Sequence, residues 1–283
     1  MPDIVIHVIA SALYLGLAWH FWRTRWHRPA TAMAGAGAPA ASGPGLQSWE
    51  RAAVLLPLAL HAATLYHHLF AETHLRFGFA QALSAMTLVA VVLYWTESLF
   101  FRLDGMEPLV LPAAALAVPL PALFPGLAST TVHAASTAFK LHLALAMAAY
   151  GLFVIALVHA LLMTVMERRL HDKNPAFVGS LPPLLTMERL LFRVIGAAFA
   201  LLTLTLVTGI AFSEALFGEP LRADHKTIFA VLSWVTFGAL LLGRWLRGWR
   251  GRTALRWTLA GFVLLVLAYI GSRFVLEVVL HRG

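Results

Sequence analysis

LTLVTGIAFSEALFGEPLRADHKTIFAVLSWVTFGALLLGRW, from Leu204 to Trp245, holds two apolar runs joined by a short polar segment. Glu214, Glu219, Arg222, Asp224, His225 and Lys226 all lie between or at the edges of those runs, and His225 with Lys226 opens the second. A bilayer interior offers water to no backbone group, so apolar runs of this length must close their hydrogen bonds internally as helices. The stretch therefore sets the fold class: an all-α polytopic integral membrane protein in which the rest of the chain supplies partner helices. An imidazole at the mouth of a helix, at a membrane surface, is placed either to ligate a metal or haem or to serve as an ordinary interfacial residue.

Composition agrees. Of 283 residues, 60% are hydrophobic and 12% charged, with a mean hydropathy of +0.79, far from the balance of a soluble globular chain. Eight spans are predicted: Ile4 to Trp22, Ala52 to Phe70, Phe79 to Ser98, Leu109 to Leu123, Leu141 to Val165, Leu190 to Phe212, His225 to Leu242 and Thr258 to Leu276. The fourth carries Pro112, Pro119 and Pro121, with Pro125 just beyond. Each proline removes a backbone donor, so this run is expected to be short, kinked or packed among its neighbours.

The net charge of +8 is explained by topology rather than by nucleic acid. With the N-terminus outside, 15 of the 21 Lys and Arg residues fall in inner segments, and only Arg76, Lys140, Arg222, Lys226, Arg273 and Arg282 fall outside. The positive-inside rule then puts both termini on the outer, periplasmic side. WRTRWHR follows the first run and nothing basic precedes it. A cleaved signal peptide has the reverse order, so an uncleaved first span is expected.

The chain is read as one membrane domain over residues 1–283, with Pro29 to Gly45, rich in Ala, Gly and Pro, as a flexible inner linker. Zero Cys excludes disulfides, thiolate catalysis and covalent haem attachment to this chain. LPPLLTMERL reads as a turn into a helix capped by Thr186. GRWLRGWRGRTALRWTLAGF, with interleaved Arg and Trp between two spans, reads as an anchor against anionic membrane lipid. Arg273 and Glu277 have the four-residue spacing that brings side chains together on a helix.

Metal or cofactor binding falls to the 13 histidines. His142, His225 and His281 lie at the outer ends of three separate runs, with His61 deeper in a fourth. For His61 the alternatives are a functional group and a neutral imidazole bridging two helices. His67 and His68 read as interfacial residues. His159 lies about 26 Å from His142 along the same helix and is expected to be a packing residue. Imidazoles from different elements suit axial coordination of haem iron, whereas tetrahedral zinc usually adds carboxylates or thiolates.

The sequence resembles the cytochrome c assembly proteins that handle haem, of the CcsA and HemX-like kind, and within them the YpjD-type branch of bacterial inner membrane proteins. The residues that carry the resemblance are KLHLALAMAAYG (Lys140 to Gly151), LPPLLTMERLLFR (Leu181 to Arg193), TLTLVTG (Thr203 to Gly209), DHKTIFAVLSW (Asp224 to Trp234), GRWLRGWRGRTALRWTLAGF (Gly243 to Phe262) and YIGSRFVLEVVL (Tyr269 to Leu280). Residues 141–282 are the most family-like. In haem-handling members, histidines flank an outer tryptophan-rich loop ending in aspartate. By that resemblance His142, followed eight residues on by Tyr150, matches one flanking histidine, and His281 stands where the second would lie. The loop departs from the pattern: no Trp occurs between Phe212 and Thr227, and only Gly218, Asp224, Lys226 and Thr227 match.

The resemblance implies haem binding or trafficking at the outer face through His142, His225 and His281, with His61, in the company of cytochrome c maturation components. Two alternatives stand beside it. One is a HemX-like regulatory or scaffold protein without haem, docking a partner on its basic inner loops; the other is a small-solute or metal-ion transporter lined by His61 and the proline-rich run. The sequence contains no nucleophile and base pair, phosphate loop or paired carboxylates, so no enzymatic activity is expected.

Overall fold

The computed structural model describes residues 2–26, 46–70, 77–101, 105–125, 137–171, 184–217 and 224–280. The helices are α1 (Pro2–Phe21), α2 (Ser48–Phe70), α3 (Phe79–Phe100), α4 (Glu107–Ala117), α5 (Leu120–Leu123), α6 (Thr137–His171), α7 (Leu184–Phe217) and α8 (His225–Arg247), followed by α9 (Gly251–Val279). No strand occurs among the described residues. The predicted linker, Pro29 to Gly45, and His281 lie outside them.

Among the described residues seven helices are long and apolar enough to cross a membrane, not the eight expected. The fourth apolar run is the exception. It forms α4 and the single turn of α5, interrupted at Val118 and Pro119. The prolines withhold amide donors and limit helix length, as their spacing requires. The pair still runs back along α3. Near one end the Tyr94 hydroxyl donates to Glu107 Oε1 (3.0 Å), and at the other Gln81 Nε2 donates to the carbonyls of Phe124 (3.2 Å) and Pro125 (2.8 Å). Thr186 is a second correction: α7 begins at Leu184, so Thr186 sits inside its first turn rather than capping it.

α6 is the hub. It packs most extensively on α7 and also contacts α3 and α9, while α3 joins it to α2 and α4. Close approach is purchased with small residues. A Cβ at Gly151 of α6 would fall 2.7 Å from the Val89 Cβ of α3, and one at Gly261 of α9 would fall 2.8 Å from the Phe237 ring of α8. Phe237 in turn stacks on Phe153 of α6, centroids 3.9 Å apart, and Ser233 Oγ donates to the Gly261 carbonyl (2.9 Å). Such small-residue contacts and interhelical hydrogen bonds are what hold helices together in lipid, where the hydrophobic effect between them is lost.

The bundle has two distinct ends. At one, His7 meets His68 (2.8 Å), and Phe77 and Phe79 at the start of α3 meet Tyr269 and Phe274 of α9. The start of α1 and the end of α9 therefore share this end. At the other, His20 meets Glu50 (3.0 Å), Trp95 Nε1 donates to the Arg51 carbonyl (3.1 Å), and Arg244 pairs with Glu188. The Arg- and Trp-rich stretch turns from α8 into α9 here through Gly248 (φ 66°) and Gly251 (φ 55°), backbone conformations open to glycine. Arg273 and Glu277 meet as their spacing predicts, at 3.9 Å.

Replacing Gly151 by Leu is expected to destabilise the α3–α6 contact by about 1–3 kcal/mol, seen as a lower thermal unfolding midpoint of the detergent-purified protein. An unchanged midpoint would mean that the two helices do not meet there.

Candidate functional site

A cavity of about 580 Å³ opens at the end of the bundle that holds the start of α3. Four helices wall it: α6 with His142, Met147 and Tyr150, α7 from Leu202 to Ile210, α8 with Lys226 and Trp234, and α9 with Leu265, Tyr269 and Arg273. Among the described residues its lining is mostly apolar and contains no Asp or Glu. Its size falls in the range of small-molecule and cofactor sites.

His142 is held by α7. The Thr208 hydroxyl spends its one proton on carbonyls of its own helix, Leu204 at 2.8 Å and Thr205 at 3.1 Å, as mid-helix threonines commonly do. Its oxygen is then left to accept from His142 Nδ1, 2.9 Å away. The proton of the neutral ring is therefore on Nδ1, and Nε2 keeps its lone pair. No hydrogen bond engages Nε2 among the described residues. Gly209 gives the ring room, since a Cβ there would lie 3.3 Å from His142 Cε1. An imidazole whose Nδ1 is anchored and whose Nε2 is open has the arrangement of a metal ligand with its supporting contact in place.

The opposite walls are equally fixed. Trp234 donates through Nε1 to Thr203 Oγ1 (2.9 Å) and stacks on Phe199, interplanar angle 20°, so its indole is immobilised beside the cavity. Tyr150 donates to the Leu265 carbonyl (2.7 Å). α9 has wider π-type turns over Leu267–Gly271 and Val275–Val279, and such irregularities are often found at functional sites. The first contains Tyr269, and Arg273 lies between the two, its guanidinium 5.9 Å from the Tyr269 ring centre.

His225 is exposed at the first turn of α8, one residue before Lys226, and does not line the cavity. Asp224 caps this helix, accepting from the Thr227 amide (2.9 Å). Burial alone would raise the Asp224 carboxyl, but the Thr227 amide and hydroxyl together with Lys226 and His225 outweigh it and hold it below the ordinary carboxylate range. His61 is fully buried between α1, α2 and α3. Its Nε2 is 2.9 Å from Ser84 Oγ and its Nδ1 3.5 Å from the Tyr14 hydroxyl, so both ring nitrogens are engaged, and it does not line the cavity. His159 is also buried, donating through Nδ1 to the Ile155 carbonyl (2.9 Å) with Nε2 3.7 Å from Glu97.

Of the histidines singled out in the sequence, the structure thus brings His142 to the cavity, sets His225 at the same end, and places His61 in a separate interhelical network. Among the described residues there is no group of three or more His, Cys, Asp and Glu side chains that could hold a metal ion. Thr208, Trp234, Tyr269 and Arg273 were not picked out as site residues by reasoning that looked for histidines alone. Arg273 had a readable signal, a charge inside an apolar run; the pairing of Thr208 with His142 across 66 positions had none.

Fold and site together define a helical membrane protein with a preformed, mostly apolar ligand cavity at one end. The chain belongs to the cytochrome C assembly protein family, whose description matches residues 49–280. It is 34% identical over 145 residues to the inner membrane protein YpjD of Escherichia coli K12, covering 51% of this chain and 54% of that protein. It is 41% identical over 141 residues to an uncharacterized 28.8 kDa protein of Azospirillum brasilense, covering 50% and 52%. With the cytochrome c biogenesis protein CcsA of Microcystis aeruginosa it shares 34% identity over 86 residues, 30% of this chain and 26% of that one. The matches thus span about half the length of the first relatives. No solved structure matches.

His61→Ala is expected to lower stability by about 1–3 kcal/mol, because Ser84 and Tyr14 lose a buried partner, whereas His225→Ala should leave the unfolding midpoint unchanged. Equal midpoints for the two variants would show that the His61 network contributes nothing.

Proposed function

We propose that this chain is a multi-pass inner membrane protein that binds haem in the cavity at its outer end, in the service of cytochrome c maturation, and that it is not itself an enzyme. The observation that carries the reading is His142: an anchored imidazole with a free Nε2, facing an apolar cavity walled by a fixed indole and two tyrosines. Bound haem would supply an iron that a neutral imidazole such as His142 would hold. The residues of this chain bind and orient it: Thr208 holds the ring of His142, Trp234 and Tyr269 offer flat surfaces, and the aliphatic walls exclude water. His225, at the same end, is the second candidate ligand; His281 lies outside the described residues and is the third. His61 acts in our reading as a bridge between helices.

The outer location follows from charge. The cavity lies at the end away from Arg51, Arg244 and the turn that follows α8, and basic segments stay on the cytoplasmic side. Both ends of the chain then face outward.

A second reading has one observation behind it, the absence of tryptophan between Phe212 and Thr227. On that reading the chain is a HemX-like scaffold that holds no haem and docks a partner on its basic end.

The absorption spectrum of the purified protein supplied with haemin separates the two. The haem reading expects a Soret band that is lost or shifted in His142→Ala, and an affinity about 10–100-fold lower in Thr208→Val, which removes the supporting contact to the ligand. A colourless wild-type protein at saturating haemin would leave the scaffold as the surviving account.

A further inference from the structure

Among the described residues two cations line the cavity and no acidic residue does. Lys226 comes from the first turn of α8 and Arg273 from α9, close enough that their charges act on one another. Each has one carboxylate within electrostatic reach, Asp224 for Lys226 and Glu277 for Arg273. The ammonium of Lys226 makes no hydrogen bond or ion pair among the described residues, and the nearby Asp224 is committed to the Thr227 amide as the cap of α8. Arg273 has one carboxylate near it, Glu277, but the 3.9 Å between them exceeds hydrogen-bond distance. Glu277 is itself packed against the start of α3, where a Cβ at Gly78 would fall 2.8 Å from its Oε1. Arg273 Nε is buried with no acceptor. A buried donor left unmade is costly, and more so when charged.

Two like charges beside an apolar cavity repel each other and lose hydration that Asp224 and Glu277 return only in part. An anion between them removes both penalties. The cavity is otherwise too apolar for a small hydrophilic anion, so the group that fits is an acid carried on a large apolar body. Resting on the haem reading above, we infer that Lys226 and Arg273 bind the paired carboxylates of the tetrapyrrole. They would hold its acidic edge, with apolar walls such as Met147 and Leu265 left for the macrocycle and His142 for the iron. Arginine offers a fork of donors to one carboxylate and lysine a point charge to the other.

The test compares haemin with haemin dimethyl ester, which keeps the iron and the macrocycle but has no ionised carboxylate, on the full chain in detergent. Wild-type protein is expected to bind haemin roughly a hundredfold more tightly than the ester, which loses two charged contacts. Lys226→Gln and Arg273→Gln, each losing one, should weaken haemin binding about tenfold, leave ester binding unchanged, and keep the Soret position set by His142; Arg273→Lys should recover part of the loss. Equal affinity of the wild-type protein for acid and ester overturns the inference while leaving haem binding intact, and this arm needs no variant to fold. Lys226→Gln, outside the Arg273–Glu277 contact, gives a second route: if it weakens acid and ester alike, the lysine does not read the carboxylate. If neither compound gives a Soret band dependent on His142, the haem reading itself fails.

Discussion

The lipid interior leaves a backbone amide nothing to bond to except its own helix, and the rest of this structure depends on that constraint. It forces the apolar runs into helices, and it then removes the hydrophobic effect as a reason for those helices to pack. What remains is contact and hydrogen bonding. Gly151 against Val89, Gly261 against Phe237 and the Ser233 hydroxyl on the Gly261 carbonyl are local solutions to that problem. The broken segment of α4 and α5 is another. Its freed carbonyls at Phe124 and Pro125 are taken by Gln81, so non-helical backbone is tolerated because protein covers it.

The same constraint explains why the polar side chains fall into separate, self-contained groups. Tyr14, His61 and Ser84 satisfy one another across three helices, and Tyr94 satisfies Glu107. His142 differs from these because only one of its nitrogens is bonded, and the bond goes to a hydroxyl whose proton is already used by its own helix. A network closed at both ends is structural. One that ends in an open lone pair facing a cavity is prepared for something from outside.

Much of this was legible in the chain. Hydropathy alone placed the seven long helices, because twenty apolar residues have one outcome in a bilayer, but several run one or two turns beyond the apolar stretch, as Thr137–His171 and Gly251–Val279 do. The fourth expected span failed at Val118 and Pro119, where the prolines told of a break but not of how short the pieces would be. His142 was legible as a candidate through its position and its resemblance to the family, and it does line the cavity. The ring of partners around it was not: Thr208, Trp234 and Tyr269 are ordinary membrane-helix residues, and their convergence depends on how α6, α7, α8 and α9 lean together, which no local pattern encodes. His61 shows the converse. A lone imidazole in an apolar run carries the same signal whether both its nitrogens are engaged or one is free.

The missing tryptophans of the segment between α7 and α8 bear on recognition differently once the cavity is in view. A loop rich in indoles offers flat apolar surface at the membrane face, where it is adaptable and wet. Here an indole comes from Trp234, a helical residue locked by Thr203 and stacked on Phe199. A surface built on helices is preorganised, so less ordering is needed when a ligand arrives, and fewer aromatic groups suffice for the same affinity. Trp234 on its helix beside anchored His142 thus gives the cavity a fixed surface where a loop would give an adaptable one.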